Sequence, residues 1–334
     1  MTGTTMPPVL VTGGAGYIGS HTAMRLAETG FQPIVFDNLS NGHRDFVRWG
    51  PFEEGDIRDG DRVRAVLEQY RPCAIIHFAA LIEVGESVRF PERFYEVNVG
   101  GAATVLAAAR RAGIDKFVFS STCATYGTPQ RLPMDESHVQ APLNPYGHSK
   151  LMVETMLRDM AGADEMRSVL LRYFNAAGAS AAGLIGEDHE PETHAIPLIL
   201  DAVAGRRPGF AIFGSDYPTR DGTAERDYVH VEDLAEAHVL ALRHLLGGGA
   251  SRSYNVGTGR GTTVRELIAA VEAVTGRACP VRLAERRDGD AAALVAEPAR
   301  LMAELGWRPT RDLHAILGSA WKWHRSLHAI GEPA

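Results

Sequence analysis

Short apolar runs alternate with amphipathic stretches through the first half of the chain. Val9 to Thr12 is an apolar run that stops at a glycine cluster. Apolar positions then recur at helical spacing from about Ile18 to Glu28, with Gly30 as a stop signal. Ile34 to Phe36 predicts a second strand that ends at Asp37, Val63 to Gln69 a helix, and Ala74 to Phe78 a buried strand. Val99 to Ala112 reads as a helix closed by Gly113, Lys116 to Ser120 as a strand, Tyr146 to Met160 as a helix and Val169 to Tyr173 as a strand. These strands are nearly continuous apolar runs, as expected where both faces of a sheet are covered. Strand and helix in alternation predict an α/β fold, a doubly wound parallel sheet.

After Asn175 the rhythm changes. Gly, Pro, Ala and acidic residues dominate to about Pro197, which predicts a loop-rich crossing. Helices are expected at Val231 to Leu246 and at Val264 to Gly276, with Gly247, Gly248 and Gly249 as a surface connection. The division expected is a first domain at 7–175 and a smaller α/β C-terminal domain at 176–334, with some later segments returning to pack on the first.

Composition narrows the class. Over 334 residues, 45% are hydrophobic and 22% charged, as in an ordinary globular enzyme. A formal net charge of -7 with no basic run argues against a nucleic-acid partner. Three cysteines, Cys73, Cys123 and Cys279, suit a reducing compartment better than a disulfide framework and lack metal-ligand spacing. No signal-peptide pattern and no span-length apolar segment is present, so the expectation is a cytoplasmic protein without a membrane partner.

Two motifs carry chemistry. The glycines of Val11-Thr12-Gly13-Gly14-Ala15-Gly16-Tyr17-Ile18-Gly19 fall between the first strand and the first helix. Gly13 permits a sharp turn, Gly16 a close approach of backbone to a pyrophosphate, and Gly19 packing of helix on strand. The free N–H groups of the helix N-terminus suit phosphates. Asp37, at the end of the second strand, can accept bonds from an adenosine ribose diol and repels a 2′-phosphate, which selects NAD over NADP. The sheet is therefore expected to be Rossmann-like. Tyr146 and Lys150 then form a Tyr-x-x-x-Lys pair on one helix face, following a strand that ends Ser120-Ser121-Thr122. An ammonium beside a phenol stabilises the phenolate and so lowers a pKa that otherwise lies near 10. Two surface residues on a helix are the plain alternative for the pair alone.

Together these motifs resemble the extended short-chain dehydrogenase/reductase superfamily. Further segments resemble its UDP-glucose 4-epimerase branch: GGAGYIGSH from Gly13, DNLSNGH from Asp37, HFAALIEVGES from His77, PYGHSKLMVE from Pro145, LRYFNAAGA from Leu171, RDYVHVEDLA from Arg226 and RRDGD from Arg286. The resemblance spans roughly residues 9 to 325. It implies reversible C4 epimerisation of a UDP-hexose with tightly bound NAD, in a homodimer. By the same resemblance Tyr17 and Ile18 line the pyrophosphate, and Asp37, Asn38, Ser40, Asn41 and Gly42 hold the adenosine ribose. Asp56 and Ile57 face adenine. Phe78, Ala79, Ala80, Ile82 and Phe174 run along the cofactor, and Asn98 supports it. Thr122, Tyr146 and Lys150 are the implied catalytic residues. Asn175 would contact the UDP-sugar, and Arg226, Arg287 and Asp290 its diphosphate and ribose. Leu294 would limit the sugar pocket, at a size that also suits N-acetylglucosamine or a pentose.

Rival readings stay open on sequence: a C4 epimerase of UDP-N-acetylglucosamine, UDP-xylose or a UDP-uronic acid, and a non-enzymatic NAD sensor. Cys123-Ala124 stands where 4,6-dehydratases of the superfamily carry an acid pair, and Cys123 reads as a buried thiol. The run His189-Glu190-Pro191-Glu192-Thr193-His194 is rich in ligand types, but its spacing is wrong for a metal-binding helix. It reads as a solvated loop over the substrate, with no metal expected.

Overall fold

Val9, Leu10 and Val11 show how the first strand is used. Side chains alternate across a strand, so Val9 and Val11 join Leu26, Ala74, Ile76, Leu234 and Leu242 on one face of the sheet. Leu10 joins Ile34, Ile75, Val66, Val105 and Leu157 on the other. Both faces are thus buried, and the apolar runs are explained. The computed structural model describes residues 6–163, 166–287 and 290–331.

The first half of the chain runs β1 (Pro8–Thr12), α1 (Tyr17–Glu28), β2 (Gln32–Asp37), β3 (Phe52–Glu54), α2 (Gly60–Tyr70), β4 (Ala74–His77), α3 (Val84–Arg89), α4 (Pro91–Phe94), a π-helical turn (Tyr95–Gly100), α5 (Gly101–Arg111), β5 (Lys116–Thr122), α6 (Pro145–Gly162) and β6 (Arg167–Tyr173). The second half runs β7 (Asn175–Ala177), α7 (Ala195–Val203), β8 (Phe210–Phe213), β9 (Glu225–His230), α8 (Val231–Leu246), β10 (Arg252–Val256), β11 (Gly261–Thr263), α9 (Val264–Thr275), β12 (Val281–Ala284), β13 (Ala293–Leu294), α10 (Ala299–Leu305) and α11 (Leu313–Leu327).

Seven strands form the main sheet in the order β10-β6-β5-β4-β1-β2-β3, all parallel. The order reverses at β1, which places a crevice at the carboxyl ends of β1 and β4. Helix α8 and strand β10 come from the second half of the chain yet complete this sheet, α8 by packing beside α1. The remaining strands are short. β7, β9, β11 and β13 form one small sheet and β8 and β12 another. Helices α7, α9 and α11 close a separate core around Leu200, Leu267 and Trp321.

One expectation changes. The helix expected from Val99 starts earlier, and its first part, Tyr95 to Gly100, is wound as a π-helix. The apolar faces of α5 and α6 are used by the core: Val105, Leu106, Val153 and Leu157 all pack under the sheet. No helix among the described residues is long and apolar enough to cross a membrane.

Candidate active site

A cavity of about 540 Å³ opens along the carboxyl ends of β1, β2, β4, β5 and β6. Its first wall is the glycine turn. Gly13 has φ +71°, and a Cβ there would lie 2.5 Å from the Ala79 amide nitrogen, so only glycine fits. A Cβ on Gly19 would meet the Gly13 carbonyl oxygen at 2.1 Å. Gly19 therefore lets α1 close on the turn itself, not on a strand as its spacing suggested. Gly16, Tyr17, Ile18 and Gly19 face the cavity. The N-terminus of α1 has no side-chain cap and no acidic residue in its first turn. Its free N–H groups are a site for an anion.

Asp37 ends β2 and is 8% exposed. Its carboxylate accepts the Ala15 amide at 3.0 Å and the Leu39 amide at 2.9 Å. Burial raises its pKa, and those amides oppose the rise. Asn38, Ser40, Asn41, Gly42, Asp56 and Ile57 line the same end. Asn38 Nδ2 donates to Asp56 at 3.1 Å. Arg58, the guanidinium at this end, is already held by Asp56 and Glu96. A ribose diol fits beside Asp37, and a phosphate there would meet carboxylates, so the residues present fit NAD.

Phe78, Ala79, Ala80 and Ile82 form the next stretch of wall. Asn98 is not part of it. From the π-helical turn its Oδ1 accepts the Leu81 amide at 2.8 Å, while its Nδ2 donates to the Leu81 carbonyl and Ser149 at 3.0 Å each. Asn98 pins the wall from behind.

Thr122, Tyr146 and Lys150 meet at the inner end. Asn144 caps α6 by accepting the Gly147 amide at 2.9 Å, and Pro145 suits the first turn. That cap places Tyr146 and Lys150 one turn apart against the end of β5. The Thr122 hydroxyl beside the Tyr146 phenol works to lower its pKa. Burial outweighs this and, with nearby Tyr173, raises the phenol well above its ordinary value. Lys150 is 3% exposed, and burial brings its ammonium down to about 7. Its Nζ donates to the Ser120 carbonyl at 2.9 Å and lies 6.0 Å from the centre of the Tyr146 ring. The ammonium thus stands beside the ring as expected, with its hydrogen bond made to Ser120. Cys123 is buried and its thiol is pushed up to about 12 by that burial, which keeps it protonated.

Phe174, Asn175, Arg226 and Leu294 line the outer part. Arg226 and Leu294 are paired in register on β9 and β13. The Arg226 guanidinium donates to the Glu225 and Ala291 carbonyls at 2.9 Å each and reaches Asp290 at 3.9 Å. Arg287 and Asp290 are not in the cavity wall, and Arg287 stacks 3.8 Å over Phe213. They flank two residues outside the described ones.

Sequence reasoning missed Tyr173 and Glu187, though it placed the loop from His189 to His194 over the substrate. Tyr173 lines the cavity at the carboxyl end of β6, a position a doubly wound sheet itself marks. Glu187, His189 and His194 also line it. Glu187 and His189 are the enclosed side chains of this loop, 9% and 13% exposed, while Glu190, Pro191 and Thr193 face solvent as expected. Trp323 Nε1 donates to the Glu187 carbonyl at 2.9 Å, and His43 bonds the Asp188 carbonyl at 2.8 Å, so the loop is strapped down at both sides. Burial works to lower the His189 imidazole, but Glu187 and Glu192 hold it up at about 9.

The family model described as NAD dependent epimerase/dehydratase matches residues 9–257. A UDP-glucose 4-epimerase of Rhizobium leguminosarum bv. trifolii is 61% identical over 316 residues, which is 95% of this chain and 97% of that one. The crystal structure of UDP-glucose 4-epimerase from Brucella ovis in complex with NAD is 51% identical, with TM-score 0.92 over 94% of this chain and 97% of that one. The structure of UDP-glucose 4-epimerase from Bifidobacterium longum in complex with NAD+ and UDP is 36% identical, with TM-score 0.91 over 97% and 99% of the two chains.

Proposed function

Since the chain belongs to the NAD dependent epimerase/dehydratase family, we propose that it interconverts UDP-glucose and UDP-galactose by inverting C4 with tightly bound NAD. The observation that carries this reading is one continuous cavity from Asp37 past the glycine turn to Thr122, Tyr146 and Lys150. When bound, NAD supplies the acceptor and then the donor of the C4 hydrogen with its electron pair, together with a pyridinium charge.

Asp37, Asn38, Ser40, Asn41 and Gly42 hold the adenosine ribose, with Asp56 and Ile57 on the adenine. The α1 N-terminus at Gly16, Tyr17 and Ile18 receives the pyrophosphate. Phe78, Ala79, Ala80, Ile82 and Phe174 exclude water along the remaining length. Lys150 holds the nicotinamide ribose. The Tyr146 phenolate oxygen removes the proton from the sugar O4 while Thr122 bonds that oxygen. Tyr146 then carries the proton until the 4-keto sugar has turned over, and returns it to O4. Asn175, Arg226, Arg287 and Asp290 keep the UDP in place during that rotation, because a guanidinium suits phosphate and a carboxylate suits a diol. Leu294 packs beside Phe174 and Cys123 and sets the room beside the sugar.

The same reading includes a homodimer in the cytoplasm. Val88 and Phe90 near α3 and Met152 on α6 are exposed apolar side chains on neighbouring elements, which a second copy would cover. Its three described cysteines are free thiols.

The deciding experiment is conversion of a panel of UDP-sugars by the purified protein and by Tyr146→Phe. UDP-galactose conversion should fall by roughly a hundredfold or more in the variant, while bound NAD and UDP affinity stay unchanged. Conversion near the parent rate would refute the role of Tyr146. A parent protein that prefers UDP-N-acetylglucosamine or a pentose would relocate the specificity to Leu294, and Leu294→Tyr would then narrow it.

A further inference from the structure

Four ligand-bearing side chains converge at the outer cavity wall, and the proposed C4 chemistry does not use them. Glu187, His189, Glu192 and His194 place their donor atoms within 4.8 Å of one another. The individual separations are informative. His194 Nδ1 lies 2.9 Å from Glu192 Oε1 and 3.0 Å from Glu187 Oε1. His189 Nδ1 lies 3.5 Å from Glu187 Oε1 and 3.7 Å from Glu192 Oε2. Four-coordinate zinc with bonds of about 2.05 Å to nitrogen and oxygen requires donors about 3.4 Å apart. Three edges of that tetrahedron, from His194 to both carboxylates and from His189 to Glu187, are therefore present at 2.9, 3.0 and 3.5 Å, while His189 reaches the second oxygen of Glu192 at 3.7 Å.

The donors are also of the right kind and are held ready. Two imidazoles and two carboxylates make a neutral site for a divalent ion of the zinc class. His189 Nδ1 is buried and has no hydrogen-bond partner. It points at both carboxylates without bonding either. The loop backbone is fixed from outside the cluster by Trp323 on the Glu187 carbonyl and by His43 on the Asp188 carbonyl. The His189 ring meets Tyr17 edge-on at 6.2 Å. Such supports orient ligands before an ion arrives.

We propose that Glu187, His189, Glu192 and His194 form a structural site for a divalent metal ion of the zinc class, which fixes the loop that walls the outer cleft. The rival occupant is the proton: with both imidazoles protonated, the same side chains make ion pairs and need no metal. The other ligand group among the described residues, Asp201, His324 and His328, is the weaker candidate. Its one carboxylate is already engaged by Arg206.

The test uses the full chain without a histidine tag, freed of metal by dialysis against a chelator. Zinc affinity is read by competition with a chromophoric chelator, and geometry by cobalt(II) absorption. One zinc per chain is expected, together with the strong visible bands of four-coordinate cobalt and no thiolate charge-transfer band. His189→Ala and the conservative Glu192→Gln should each weaken zinc binding by roughly tenfold to a hundredfold or more, while His324→Ala should leave it unchanged. Zinc should raise the melting temperature of the parent and not of His189→Ala. Parent binding no tighter than that of His189→Ala would overturn the site. So would a six-coordinate or thiolate cobalt spectrum, or loss of zinc in His324→Ala. None of these readouts involves turnover, so a failed metal site and a failed epimerase assay are separate results.

Discussion

Arg172→Met tests how the end of β5 is held for chemistry. Glu154 on α6 is 0% exposed, and Arg172 on β6 is 4% exposed. The guanidinium grips the carboxylate with two bonds, Nε to Oε1 at 2.9 Å and Nη2 to Oε2 at 2.7 Å. Glu154 also accepts the Ser121 hydroxyl and Gln140 Nε2. Removing the cation leaves a buried carboxylate, a change that costs about 3–5 kcal/mol. Arg158, half exposed, still reaches Glu154 at 3.1 Å, so the lower end, about 3 kcal/mol, is expected. With an unfolding entropy of about 2.1 cal/mol/K per residue, that is a fall in Tm of about 4 °C for a chain of this length. The pH dependence gives a second handle. Burial works to raise the Glu154 carboxyl, but Arg172 holds it below its ordinary 4.5. Its contribution is therefore present above pH 4.5 and is lost as pH falls through the depressed value. In Arg172→Met burial prevails, so the folded pKa rises and the parent–variant gap narrows in acid. The assay is thermal unfolding at pH 7 and near pH 4, with Arg172→Met/Glu154→Leu as the third protein. The double variant should recover part of the loss, because no lone charge remains. A gap that widens in acid, or a double variant as unstable as the sum of the singles, would refute the argument.

Gly13→Ala should lose NAD on purification, since its Cβ would strike the Ala79 backbone at 2.5 Å; cofactor content by absorbance checks this. Gly30→Ala, also at positive φ but with nothing within 4 Å, should cost only about 1 kcal/mol of strain and keep the cofactor. Burial lowers three imidazoles, His21 to about 3, His77 to about 3 and His238 to about 4. Each folded value lies below the unfolded 6.5, so stability is full above that pH and falls by about 1.4 kcal/mol per pH unit per histidine between there and the folded values. Urea midpoints that stay flat from pH 6.5 to 4.5 would contradict this.

The first half of the fold was legible because its elements are long and two-sided. In Lys116–Thr122, Phe117 and Phe119 bury on one face and Val118 on the other, which admits few other readings. Helix α8 was legible to its ends, since charged and apolar positions alternate there at helical period over Val231–Leu246. The small sheets were not. Gly261–Thr263 and Ala293–Leu294 are too short to carry a period, and partners far along the chain define them. The cleft follows the same division. Asp37, Tyr146 and Lys150 come from local motifs, whereas Glu187 and His189 are enclosed beside Trp323 and Tyr17, which no local pattern joins to them. Spacing could exclude a metal-binding helix there, but it could not show that the loop brings Glu187, from outside that run, beside His189, Glu192 and His194.

The sequence reading of Tyr146 calls on two cations, the Lys150 ammonium and a nicotinamide, and magnitudes show why the first does not suffice. At about 6 Å, with an effective dielectric of about 20, one charge is worth about 3 kcal/mol, or about 2 pKa units. The phenol is raised well above 10 by burial before that help arrives, and the ammonium itself sits at about 7. One cation is not enough at neutral pH, and a second must lie beside the ring. The pyridinium charge of NAD+ is that cation under the proposed function, and it disappears when the ring is reduced. Under that reading Tyr146 would be a strong base only beside the oxidised cofactor, and would keep the proton it has taken until the sugar oxygen receives it back. Phenolate absorbance should be present in the NAD+ form at pH 7, fall on reduction of the bound cofactor, and be absent from Tyr146→Phe in both states. In Lys150→Met it should appear only at a pH about 2 units higher. Equal absorbance in the oxidised and reduced forms would mean that the lysine field suffices, and the electrostatic argument would fail.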